Sequence, residues 1–124
     1  MRGISFAFLI CGTIAVLIGM AWGIQMAATG DHALSPAHAH LNLLGWVSFA
    51  IYGFYYHLVP AAAASRLAWA HFGLALLGLI VIVPGIAMTL TGAGEAMAKI
   101  GSLLSLLAAL TFLVVVLRSR AQAP

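Results

Sequence analysis

Apolar positions fill four long runs of the chain, near Ile4–Ala27, His38–Val59, Leu67–Leu90 and Ala96–Leu117, and polar residues gather in the breaks between them. Roughly 20 helical residues cross about 30 Å of hydrocarbon, so each run is long enough for a transmembrane helix. Barrel strands are about half that length and alternate every second residue; these runs do neither. The breaks carry turn chemistry: Thr29-Gly30-Asp31, Ser35-Pro36, Pro60 and Thr91-Gly92-Ala93-Gly94. Ser35-Pro36 reads as an N-cap followed by proline in the first turn of the second helix. With loops this short, consecutive helices are expected to be antiparallel neighbours. The expected fold is an all-α membrane protein, one membrane domain over residues 1–124, arranged as an up-down bundle of four transmembrane helices. The first run, though preceded by Arg2, exceeds the roughly 7–15 apolar residues of a cleaved leader and is read as a helix.

Composition agrees with this pattern. Of 124 residues 65% are hydrophobic and 6% charged, too few to cover a water-facing surface. A net charge of +3 would suggest nucleic acid in a soluble protein, but the five basic residues are scattered at the flanks of the runs, and no nucleic-acid partner is expected. The single cysteine, Cys11, excludes a disulfide framework. Arg2, Arg66, Arg118 and Arg120 fall on one side of the expected bundle and Lys99 near the other. The positive-inside rule then puts both termini in the cytoplasm of a bacterial inner membrane, with Asp31 and Glu95 outside. The pair Gly19 and Gly23 is a small-xxx-small step that lets helices approach, and is read as packing within the chain. Pro84 removes a backbone donor from the third run and is expected to kink it near Ile80.

Five histidines against two carboxylates is an unusual ratio for a chain in lipid, where ionisable residues are costly. The expected topology sorts them into His32, His38 and His40 at the outer end and His57 and His71 at the inner end. No serine has a carboxylate–histidine partner and no phosphate loop is present, so hydrolysis and phosphoryl transfer fall away. Coordination chemistry remains: a histidine-rich, carboxylate-poor site suits haem iron or copper better than magnesium or calcium. Met26, Met88 and Met97 are expected near the outer histidines, although methionine is also ordinary filler.

The second run separates its own residues. At about 100° per residue, His38, Asn42, Gly45, Phe49, Tyr52 and Tyr56 share one side, and His40, Leu44, Val47, Ile51 and Phe54 the other. His38 and His40 therefore diverge, and a regular helix cannot point both at one ion. The polar side is expected to face the bundle; the apolar side meets lipid or lines a cleft for something flat and apolar.

The stretch His40-Leu41-Asn42, Trp46 and Tyr55-Tyr56-His57-Leu58-Val59-Pro60 resembles the second helix of subunit I of the haem–copper oxidase superfamily, most of all the large subunit of nitric-oxide reductases. The His38-Ala39-His40 start with Gly45 is also similar to NnrS, a membrane family associated with haem, copper and nitric oxide. Leu67-Ala68-Trp69-Ala70-His71-Phe72 through Gly78 resembles the following oxidase helix more loosely. The likeness covers about half the chain. It implies that His40 is an axial ligand of haem b, with His38 as the alternate ligand. The oxidase helices that carry the other haem and copper ligands have no counterpart in four helices, so a complete oxidase or reductase is not implied. Without a Cys-x-x-Cys-His motif the haem would not be covalently attached.

The sixth ligand stays open among His32, His38, Met26, Met88, Met97 and His40 of a second copy in a homo-oligomer. His57 and His71, with Tyr52 and Tyr56 nearby, form a candidate second site for a metal or quinone. The expected function is a haem b protein of the bilayer that transfers electrons with a respiratory-chain donor or acceptor, handles haem or senses a diatomic gas. Two alternatives stand beside it: a copper-binding or copper-delivery protein using His32, His38, His40 and the outer methionines, since thioether and imidazole suit copper, and a cofactor-free assembly subunit.

Overall fold

The computed structural model describes residues 1–120, which form helices and short connections with no strand among them. Helix α1 covers Gly3–Thr29, α2 Ser35–His40, α3 Ser48–Leu58, α4 Pro60–Ala63, α5 Arg66–Leu90 and α6 Ala96–Arg120, with a π-helical segment, Leu41–Val47, joining α2 to α3. α1, α5 and α6 are each long and apolar enough to cross a membrane. Backbone torsions stay helical through the junctions at His40, Leu41, Val47 and Ser48, so Ser35 to Leu58 is one uninterrupted rod. The widening is local: the amide of Ser48 bonds the carbonyl of Leu43, five residues back, and its hydroxyl donates to the same oxygen at 2.9 Å. Turns of this kind are rare and concentrate at functional sites.

Local chemistry sets the ends. Gly30, at φ 68°, closes α1 in the left-handed conformation that glycine adopts without cost. Asp31 then accepts the Ala33 amide at 3.0 Å. Ser35 lies inside the first turn of α2 and donates to His32 O at 2.6 Å, rather than capping the helix as the sequence suggests. Ser65 does cap α5, accepting the Ala68 amide at 3.2 Å. α5 continues through Pro84 to Leu90 as one helix.

Small residues decide how closely the rods approach. A Cβ on Gly101 would stand 2.5 Å from the Ile82 backbone, and one on Gly85 2.5 Å from the Ala98 amide. Together with Gly78 against Ser105, these pairs show α5 and α6 running antiparallel with backbones in contact. α1 runs antiparallel to the rod in the same way: Gly12 meets Phe49 and the Gly45 carbonyl, Gly19 meets Asn42, and Gly23 meets His38. Gly19 and Gly23 therefore pack within the chain, as expected from their spacing. The largest buried side chains, Tyr56, Phe8, Phe49 and His71, form an aromatic core. The outward residues Leu43, Val47, Ile51, Phe54 and Leu58 leave an apolar outer surface, the arrangement a bilayer solvates.

Candidate functional site

The five histidines divide in the structure by what each ring nitrogen already holds. His38 is half-buried against α1, its Nε2 2.8 Å from the carbonyl of Gly19. A carbonyl only accepts, so Nε2 carries the proton and Nδ1 is bare. The side-chain amide of Asn42 stands 3.2 Å from the same nitrogen, and its buried carbonyl oxygen has no hydrogen-bond partner. Trp22 presents its ring edge-on to the imidazole at 5.8 Å. His38 is thus a side chain committed to the α1 seam.

His40, two residues on, points elsewhere. Its Nδ1 lies 2.7 Å from the carbonyl of Pro36, one turn earlier on its own helix. By the same logic Nδ1–H donates, and Nε2 is left as an unprotonated donor atom, with no hydrogen bond among the described residues, on a half-buried side chain. Imidazoles that ligate metals are held in this way, with the distal nitrogen anchored to a carbonyl that fixes tautomer and ring plane. His32, exposed on the loop, repeats the arrangement less tightly, with Nδ1 3.2 Å from Gly30 O.

His71 is different in kind. It is fully buried, its Nδ1 3.0 Å from the hydroxyl of Tyr56, and its Nε2 has no partner. Phe8, Tyr52 and Phe112 close around it, with ring centroids 5.0, 4.5 and 5.3 Å away. His57 is exposed on the outer surface and shares no hydrogen bond or ring contact with His71. His57 and His71 therefore face different surroundings, one exposed and one sealed. Their neighbours in sequence explain it: Tyr56 takes the inward position on the rod and His57, about 100° round, the outward one.

The expected separation of the second run holds in outline. Gly45, Phe49 and Tyr56 are buried and His38, Asn42 and Tyr52 half-buried, whereas Val47, Ile51 and Phe54 are exposed. His40 and Leu44 sit at the boundary rather than fully on the exposed side. Met26 is buried, and Met88 and Met97 are exposed. No group of three or more histidine, cysteine, aspartate or glutamate side chains is gathered for one metal ion among the described residues. Any ion or haem iron held here would draw on one or two imidazoles of this chain and on ligands of another kind or another copy.

Sequence reasoning missed two contacts: the hydroxyl of Tyr55 2.6 Å from that of Ser119, and the stacking of Phe112 on His71. The first links the rod to α6 and the second links α5 to α6, whose run of leucines and valines gives no positional signal. The Gly19–His38–Asn42 contact was closer to reach, since a glycine pair on one helix matches an i, i+4 polar pair on the other. Comparison with family models, with curated proteins and with solved structures returns no match.

Proposed function

We propose that the chain crosses the bilayer four times, the Ser35–Leu58 rod providing the fourth span, in up-down order with both termini on the cytoplasmic side of a bacterial inner membrane. The distribution of Arg2, Arg66, Arg118 and Arg120 supports that orientation. In this bundle His40 holds haem b at the outer end, and the protein serves electron transfer, haem handling or diatomic-gas sensing. The observation that carries this reading is the bond from His40 Nδ1–H to the Pro36 carbonyl at 2.7 Å, which leaves Nε2 bare for an axial bond. Of the other histidines, His38 is pinned to Gly19 on the α1 seam through Nε2, which leaves only Nδ1 bare, His71 is enclosed by aromatic rings, and His57 lacks an anchoring hydrogen bond among the described residues.

Bound haem would supply one-electron chemistry or, with one axial position open, a gas site. The chain's part is to hold one axial imidazole in a fixed tautomer beside apolar surface from Leu44 and Leu43. The second ligand comes from His32, from an outer methionine, or from His40 of a second copy.

The test is the reduced-minus-oxidised absorption spectrum of detergent-purified protein, with His40→Ala and His38→Ala beside the wild type. A b-type spectrum lost in His40→Ala and kept in His38→Ala supports the reading. A featureless wild-type spectrum after expression with ample haem overturns it. Copper in the same sample would then assign His32, His38 and His40 to that metal, and its absence would leave an assembly subunit whose histidines are structural.

A further inference from the structure

At the end of the molecule opposite the His32 loop, a cavity of about 140 Å³ opens between the first turn of α5 and the last turns of α6. Ala62, Leu67 and Val115 give it apolar walls, Ser65 and Ser119 polar ones, and Arg118 the only charge among the described residues. The two hydroxyls are already engaged. Ser65 donates to Ala62 O at 2.7 Å, and Ser119 donates to Val115 O at 2.7 Å. Arg118 has no ion-pair partner among the described residues: the side-chain carboxylates are Asp31 and Glu95 alone, both at the other end, and Glu95 pairs with Lys99 at 3.2 Å. Arg2, Arg66, Arg118 and Arg120 therefore share one end of the molecule without a side-chain carboxylate. The amides of Arg66 and Leu67, which open a 25-residue helix, also make no hydrogen bond among the described residues.

A guanidinium with no partner among the described residues, a positive helix end and a small cavity select an anion. We infer that this cavity seats the phosphate of an anionic phospholipid headgroup, with Arg118 as its principal contact. A lipid suits it better than free phosphate because the remaining walls are apolar and the cavity lies where two helices of membrane-crossing length end. The inference rests on the chain lying in a bilayer and is independent of haem.

The experiment uses the full chain in detergent, titrated with dioleoylphosphatidylglycerol or dioleoylphosphatidylcholine, with retained lipid counted by native mass spectrometry. Wild type is expected to retain phosphatidylglycerol in preference. Arg118→Gln is expected to lower that retention about fivefold, the worth of one arginine near an anionic surface, with its melting temperature unchanged. Lys99→Gln, at the other end, is expected to change nothing. Ala61→Trp, which fills the cavity from an exposed wall and keeps every arginine, is expected to lose the lipid as well, and it carries the test should Arg118→Gln fail to fold. Three outcomes overturn the inference: full retention by both variants, an equal loss in Lys99→Gln, or displacement by millimolar inorganic phosphate as effective as by phosphatidylglycerol.

Discussion

The hydroxyl of Tyr56 meets Nδ1 of His71 at 3.0 Å, and both side chains are sealed at the centre of the aromatic core. The pair joins the rod to α5 by a hydrogen bond that has no water to replace it. Tyr56→Phe strands a second nitrogen of a buried imidazole and is expected to cost about 1–3 kcal/mol. The double variant Tyr56→Phe/His71→Phe leaves no polar group behind and is expected to recover most of that loss. Thermal melting of the four proteins in detergent closes the cycle; an additive double variant would show that the pair is not coupled.

Gly101 and Gly85 hold α5 and α6 at backbone contact. Gly101→Ala is expected to destabilise by about 1–3 kcal/mol, because its methyl group meets the main chain of Ile82 rather than a yielding side chain. Gly73→Ala, on the same α5 but with open space at its Cβ, is the control and is expected to melt no lower than wild type.

The Asn42 oxygen buried against Gly19 without a partner predicts an asymmetry. Asn42→Leu removes a stranded polar group and is expected to leave the melting temperature unchanged or raised. Gly19→Ala, which drives a methyl group into that amide, is expected to lower it. A fall of equal size in both would mean that the amide contributes a bond rather than a cost.

Ser65 begins α5 by accepting the Ala68 amide. Ser65→Ala is expected to cost about 1 kcal/mol and Ser65→Asp close to nothing, since aspartate caps as well as serine. Hydrogen exchange at the amides of residues 66–69 reports whether the loss is local.

Much of this architecture was legible in the residues. Apolar length gave α1, α5 and α6 to within three residues at each end, because only main-chain bonding within a helix satisfies so long an apolar run. The 100° rule gave the inward stripe from Gly45 to Tyr56 and the divergence of His38 from His40. What pattern could not reach was hydrogen bonding to carbonyls, which belongs to the backbone and leaves no mark on the sequence. That the Pro36 oxygen takes His40 and the Gly19 oxygen takes His38 decides which imidazole nitrogen is free, and only coordinates show it. The pairing of His71 with Tyr56 rather than with His57 was hidden for a related reason. Nearness along the membrane normal says nothing about which way around a helix a side chain points.

The π-helical turns between Leu41 and Val47 act as a phase shifter in the rod. They let Ser48 reach back five residues and set the azimuth of the outer histidines independently of the aromatic half below. Deleting one residue there would restore ordinary winding with both halves still in phase, because the wide turn absorbs one extra residue. Ordinary winding with every residue kept would leave Phe49 to Tyr56 docked on Phe8 and swing His38 and His40 by about 100°. His38 would leave the Gly19 carbonyl, and the bare nitrogen of His40 would address a different neighbour. The direction in which this chain offers its free imidazole is thus encoded in the match between a residue count and the width of one helical turn.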